Sequence, residues 1–187
     1  MADLNRLFDN IKNKPLGMNT NAQSYGLISE SLVNLCNFRI QQEEYSSRIY
    51  LAMSKWLNNK GYLGASSLWE KYSKEELEHA EIIYNFLLDL GIQPIVPELE
   101  RPQQSFESLM EIVNLSYEHE VEIYKQCSEL AKVSYSEGQM MLYPIALNLT
   151  KEQAEEVSKL QNWLDMFASF GTSPDVLMMI DEKMGEK

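Results

Sequence analysis

The chain has 187 residues, 44% of them hydrophobic and 24% charged, with a formal net charge of -12. That length and balance describe one globular domain able to bury a sizeable core. The excess of acid excludes general electrostatic binding to nucleic acid or anionic lipid and favours cations.

Taken in chain order, residues 2–13 place Leu4, Leu7, Phe8 and Ile11 at helical spacing. No apolar core or small-residue cleavage site marks a secretory signal, and no apolar run is long enough to span a bilayer. The next stretch, "NKPLGMNTNAQSYG", reads as a linker. Residues 1–29 are therefore expected to form an extension ahead of a domain at 30–171, with a short helix in 172–187.

The first long helix is expected over about residues 29–58, on a stripe of Leu32, Cys36, Ile40, Tyr50, Leu51 and Leu57. "NNKGYLG" breaks it. A second helix is expected over about 65–90, opening on the capping-box pattern from Ser67 to Glu70 and closing at Gly91. Its stripe runs from Leu68, Trp69 and Tyr72 to Ile83, Phe86, Leu87 and Leu90. "GIQPIVPELERPQQ" cannot continue a helix through its prolines, and is long enough to run along a bundle as a crossover. The third helix is expected over about 105–136, with Phe106, Leu109, Met110, Val113, Tyr117, Tyr124, Cys127 and Ala131 on one face. The fourth spans about 144–170, with Pro144 in its first turn and Ile145, Leu149, Leu160, Trp163, Leu164 and Phe167 inward. "DVLMMIDEKM" makes a short fifth helix. Two short connections around one long one predict an all-α four-helix bundle with a crossover. Cys36 and Cys127 fall on apolar stripes and are expected to be buried thiols rather than a disulfide.

Each stripe is interrupted at mid-helix by a carboxylate. The sequence reads Ile40, Glu43, Ser47, Tyr50 on the first helix and Tyr72, Glu76, His79, Ile83 on the second. It reads Tyr117, Glu120, Tyr124 on the third and Leu149, Gln153, Glu156, Leu160 on the fourth. Converging buried carboxylates repel and cost several kcal/mol each when unpaired. No Lys or Arg is placed on these stripes to balance them; Arg48 and Lys55 lie elsewhere on the first helix. Divalent cations balance the charge, and a donor set of carboxylate and imidazole without thiolate suits iron or manganese better than structural zinc. Ser73 to Glu76 also fits a capping box, but the stripe runs through it unbroken. His119 lies about 100° round the helix from Glu120 and reads as a surface or interface residue. Glu44, Glu78, Glu81, Glu118 and Glu122 fall off the stripes and read as solvated.

Over roughly residues 36–170 the chain resembles the non-haem bacterial-type ferritins. "QEEYSSRIYLAMSKWL" is similar to the family's first helix, "KEELEHA" to its second-helix E-x-x-H motif, "YEHE" to the third and "EQAEE" to the fourth. The resemblance implies that Glu43 and His79 hold one iron, that Glu76 bridges, and that Glu120 and Glu156 hold a second. It places Gln153 beside that second iron and Tyr50 near the pair as a further electron source. It also implies a third iron position at Glu75, Glu152, Glu155 and the shared Glu156. The fourth helix carries Q-x-x-E rather than a second E-x-x-H, and Leu77 stands where bacterioferritins place the methionine that ligates haem, so no haem is expected.

The function this resemblance implies is that of an iron-storage ferritin with ferroxidase activity. It would oxidise Fe2+ with O2 and store Fe3+ as mineral in a cytoplasmic cage of twenty-four identical subunits, with no nucleic-acid or membrane partner. Two other readings stay open at this point. One is a carboxylate-bridged diiron oxidase acting on an organic substrate; the other is a metal-free helical scaffold.

Overall fold

The computed structural model of the protein describes residues 26–186. The expected helix at residues 2–13 and most of the linker after it lie outside the described residues. Five helices come in succession: α1 (Glu30–Lys60), α2 (Leu63–Asp89), α3 (Leu109–Ser136), α4 (Leu142–Phe170) and α5 (Pro174–Gly185). No strand occurs among the described residues, and none of their helices is long and apolar enough to cross a membrane.

Local chemistry sets the helix ends. Ser29 caps α1, its hydroxyl accepting from the Leu32 N–H at 3.1 Å. Gly61 closes α1 at φ 89°, a left-handed conformation that a side chain disfavours. The chain then turns at once into α2, so the helix begins at Leu63, ahead of the expected capping box. Ser67 lies inside the helix and donates back to the Leu63 carbonyl at 3.0 Å. α3 likewise starts later than expected, at Leu109. Its cap is Ser108, which accepts from the Glu111 N–H at 3.0 Å, while the Glu111 carboxylate turns back to the Glu107 N–H.

α1 packs along α2 and α3 along α4, and α1 also meets α3. The long connection between α2 and α3 lies against α1. There the Ile95 N–H donates to Asn37 Oδ1 at 2.8 Å, and Gln41 Nε2 donates to the Glu98 carbonyl. The result is the expected bundle of two helical hairpins joined by one crossover. The inward faces differ in detail from the expected stripes. Leu51, Met110 and Tyr124 are exposed, and α3 turns Ile112, Ser116, Ile123 and Leu130 inward instead. Periodicity finds the buried face of a helix this rich in apolar residues only to within about one position.

The core falls into two clusters. One gathers Leu32, Cys36 and Ile40 with Ile83, Ile123, Cys127 and Leu149. The other gathers Tyr50, Met53, Trp69, Tyr72, Val113 and Leu160. On every long helix the acidic interruption falls between a residue of one cluster and a residue of the other. The bundle therefore holds one polar layer at mid-height, sealed above and below by apolar side chains.

α5 folds back onto the start of α2. The Ala65 N–H donates to Asp181 Oδ1 at 2.8 Å, and a Cβ added at Gly64 would sit 1.8 Å from the Asp181 carbonyl oxygen. Gly64→Ala is expected to push α5 off α2 and cost about 1–3 kcal/mol. Chemical denaturation reads this directly; an unchanged midpoint would mean the two backbones do not approach so closely.

Candidate metal centre

Residues from all four long helices meet in the polar layer. Glu43, Glu76 and His79 form one group whose ligand atoms lie within 4.8 Å of one another, and Glu76, Glu120 and Glu156 form a second. Glu76 belongs to both. Glu43 and Gln153 are completely buried, Glu76 and Glu120 nearly so, and Glu156 is half-buried. The register makes this possible. Glu76 and His79 stand three residues apart on one face of α2, and Gln153 and Glu156 on one face of α4.

The layer is full of unsatisfied polar atoms. Glu43 Oε2, Glu120 Oε2, Glu156 Oε2 and both amide atoms of Gln153 are buried without a hydrogen-bond partner. Buried polar groups are nearly always paired. Oxygen acceptors left over in this number, converging with one imidazole, are the donor set of a site for divalent cations. The residues present therefore fit two ions sharing Glu76.

Electrostatics agrees. Burial raises Glu76 well above the usual carboxylate range, with Glu43 and Glu156 adding to it. Burial and the neighbouring Glu156 and Glu43 also raise Glu120. Burial lifts Glu156 to about 7. Burial alone would lower His79, but Glu76, Glu43 and Glu156 outweigh it and hold the imidazolium to about 9. Without metal the layer thus keeps protons that a cation must displace.

These shifts set a pH dependence. The Glu156 shift makes the metal-free fold lose stability as pH rises from 4.5 to about 7. The His79 shift does the same from 6.5 to about 9. The thermal midpoint of the metal-free protein is expected to fall over this window. Zn2+ should restore it, binding more tightly and releasing fewer protons at the upper end. Scanning calorimetry and proton-release titration test this, and a Zn2+ affinity independent of pH would contradict it.

One buried cation does not show in the apolar stripes. Arg39 is only 1% exposed, and its Nε lies 2.8 Å from Glu43 Oε1. Neither of those two atoms has a directed hydrogen bond, so the contact is a Coulombic pair. Arg39 Nη1 donates to Gln126 Oε1 on α3 at 2.8 Å. Burial pulls the guanidinium down, but Glu43, Cys127, Glu76 and Glu120 together hold it above its ordinary value. The expectation of no balancing cation on the stripes is therefore corrected. Arg39 stands four residues before Glu43, and that spacing is the signal the sequence offers for it.

Around the layer, Tyr50 is buried and its hydroxyl donates to Glu120 Oε1. His119 is an interface residue, its Nε2 2.7 Å from Ser46 Oγ and its ring edge-on to Tyr50. Burial and then Arg39 lower it to about 4, so it is neutral. Glu44, expected to be solvated, is half-buried and accepts from the Tyr84 hydroxyl at 2.7 Å.

Glu75, Glu152 and Glu155 lie on the rim and are more exposed. Glu152 Oε2 sits 3.1 Å from His79 Nε2, Glu75 pairs with Lys71 at 3.5 Å, and Glu155 faces Lys151 at 3.9 Å. They do not converge into a third group as compact as the other two among the described residues. Cys36 and Cys127 are buried free thiols, as expected, each pushed by burial up to about 12.

Comparison with known proteins adds a family. The sequence model of the Ferritin-like domain family matches residues 34–170. The chain is 28% identical over 159 residues to a probable bacterial non-heme ferritin-like protein of Haemophilus influenzae, covering 85% of this chain and 96% of that one. It is 26% identical to a bacterial non-heme ferritin of Campylobacter jejuni, covering 83% and 93%. Among solved structures, an open pore ferritin from the archaeon Archaeoglobus fulgidus superposes with a TM-score of 0.82 at 26% identity, covering 86% of this chain and 98% of that one.

Proposed function

Since the chain belongs to the ferritin-like domain family, we propose that it is an iron-storage ferritin with ferroxidase activity. Its substrates are Fe2+ and O2, and its product is Fe3+ held as mineral within a homo-oligomeric cage of twenty-four subunits. One observation carries the reading: two buried groups of metal-ligating side chains share Glu76 at the centre of the bundle. Two Fe2+ ions held side by side offer O2 one electron each.

Glu43 and His79 hold one substrate ion, Glu76 bridges, Glu120 and Glu156 hold the other, and Gln153 offers its amide beside it. Protons that burial and mutual repulsion favour in this layer leave as the ions enter. Tyr50, bound to Glu120, is placed to give a further electron. The two apolar clusters keep bulk water off the polar layer. The half-buried Glu75 and the exposed Glu152 and Glu155 beside it take the product onward as a third site. Carboxylate ligands exchange readily, which suits a centre whose metals pass through. The four helices within 30–171 make the bundle, with Ile28 just ahead of α1 packed into its core, and 172–187 carry the docked last helix. The protein works in the cytoplasm, without haem, nucleic acid or a membrane.

Two substitutions test the division of labour. His79→Ala is expected to slow the first fast oxidation of Fe2+ by about 10–100-fold while the assembly keeps its size. Glu155→Ala should leave that first phase within about twofold and slow its recovery for a second round. Stopped-flow oxidation with two successive Fe2+ additions reads both. Equal loss of the first phase in the two variants would contradict separate sites.

A further inference from the structure

We propose that Arg39 is a positioning residue that sets the charge of the metal centre and weakens its hold on trivalent ions. Fe2+ can then load while Fe3+ is urged to leave. The inference rests on the iron-oxidising function proposed for the centre and adds a residue to it.

The placement carries the argument. Arg39 is buried to 1% exposure, so water does not screen it. Gln126, itself buried, fixes its Nη1 from α3 at 2.8 Å. Its Nε lies 2.8 Å from Glu43 Oε1, while Nε and Nη2 have no hydrogen bond. The guanidinium is not clamped by a carboxylate fork, which would spend its charge locally. It shares Glu43 with the metal group to which that residue also belongs. Glu43 Oε2 is left without a partner and is the oxygen free to face an ion.

Charge balance gives the consequence. The four glutamates of the two groups match the charge of two divalent ions. Arg39 leaves the loaded centre one positive charge over, and oxidation of both ions adds two more. Repulsion from a fixed charge grows in proportion to the charge it meets, and low local dielectric enlarges it. A trivalent ion is therefore penalised half again as strongly as a divalent one in the same position. A purely structural arginine would hold Glu43 in place and affect both kinds of ion alike.

The test uses the full-length, metal-free assembled protein and two redox-inert probes, Zn2+ and Tb3+, in competition for the centre. Within any one variant both ions displace the same protons, so the ratio of their affinities isolates the effect of Arg39's charge. Arg39→Gln removes that charge. Gln126→Glu neutralises it while keeping Arg39 and the shape of its partner. Either is expected to raise the Tb3+-to-Zn2+ affinity ratio about tenfold, and Arg39→Lys is expected to keep the wild-type ratio. A ratio within about twofold of wild type in Gln126→Glu would overturn the proposal, including the case in which Arg39→Gln does not fold. Failure of the wild type to bind either ion would instead overturn the assignment of the centre itself.

Discussion

Glu76→Gln is expected to lower the initial rate of Fe2+ oxidation by about 100-fold or more. Among the described residues Glu76 is the one shared by both candidate metal groups, so under the proposed function its loss would remove a ligand from each ion and the bridge between them. An amide has nearly the same shape but cannot serve as an anionic bridge. The fold should not suffer. Burial and the neighbouring carboxylates disfavour the charged form of Glu76 in the metal-free state, so a neutral isostere removes a costly buried acid. The metal-free variant should therefore unfold at the same temperature as wild type or higher, while Zn2+ adds less stability to it. Loss of activity with no loss of stability separates a metal ligand from a structural residue. A rate within a few-fold of wild type would remove Glu76 from the centre.

Trp69→Ala is expected to give the largest loss of stability, about 3–5 kcal/mol. Trp69 is fully buried in the apolar cluster that seals one side of the polar layer. Its indole N–H donates to Ser116 Oγ at 2.9 Å, linking α2 to α3. Its ring stands edge-on to Tyr72 with centroids 5.7 Å apart, and Tyr72 in turn meets Tyr50 at 5.9 Å. Truncation removes the largest side chain in this part of the core and leaves Ser116 with only the weak sulfur acceptor of Met53. Tyr50 should also lose its fixed place next to Glu120, so the variant is expected to oxidise iron more slowly even where it remains folded. Denaturant unfolding gives the first number. A cost below about 1 kcal/mol would mean that neighbouring side chains collapse into the space.

Much of this arrangement is legible in the sequence because one physical conflict repeats. A carboxylate on an apolar stripe is costly, and Glu43, Glu76, Glu120 and Glu156 repeat that cost at matching depth on separate helices. The prolines between α2 and α3 show that the chain must cross over there. Where sequence and structure part, the causes are physical too. Arg39 lies at the edge of a stripe that runs through Cys36, Ile40 and Glu43, and a long cationic side chain in that position usually reaches for water. Only the partner on α3, Gln126, shows that it turns inward. The start of α2 is ambiguous because a serine with glutamate three residues later fits both a cap and a helix interior. Gly61, in a left-handed turn, starts the helix earlier. The rim of half-buried Glu75 and exposed Glu152 and Glu155 carries too little steric constraint for spacing to fix their side chains. Their present partners include Lys71, Lys151 and His79.

Under the proposed function this chain takes up Fe2+, oxidises it within the bundle and keeps the product soluble. The most direct measurement adds Fe2+ in air to the metal-free protein and then determines iron content and native mass together. The expected result is oxidation much faster than in buffer, complete first at two irons per chain. Many more irons should then accumulate in a soluble particle of several hundred kilodaltons. A monomer that leaves iron oxidation at the buffer rate, with no iron retained, would contradict the claim.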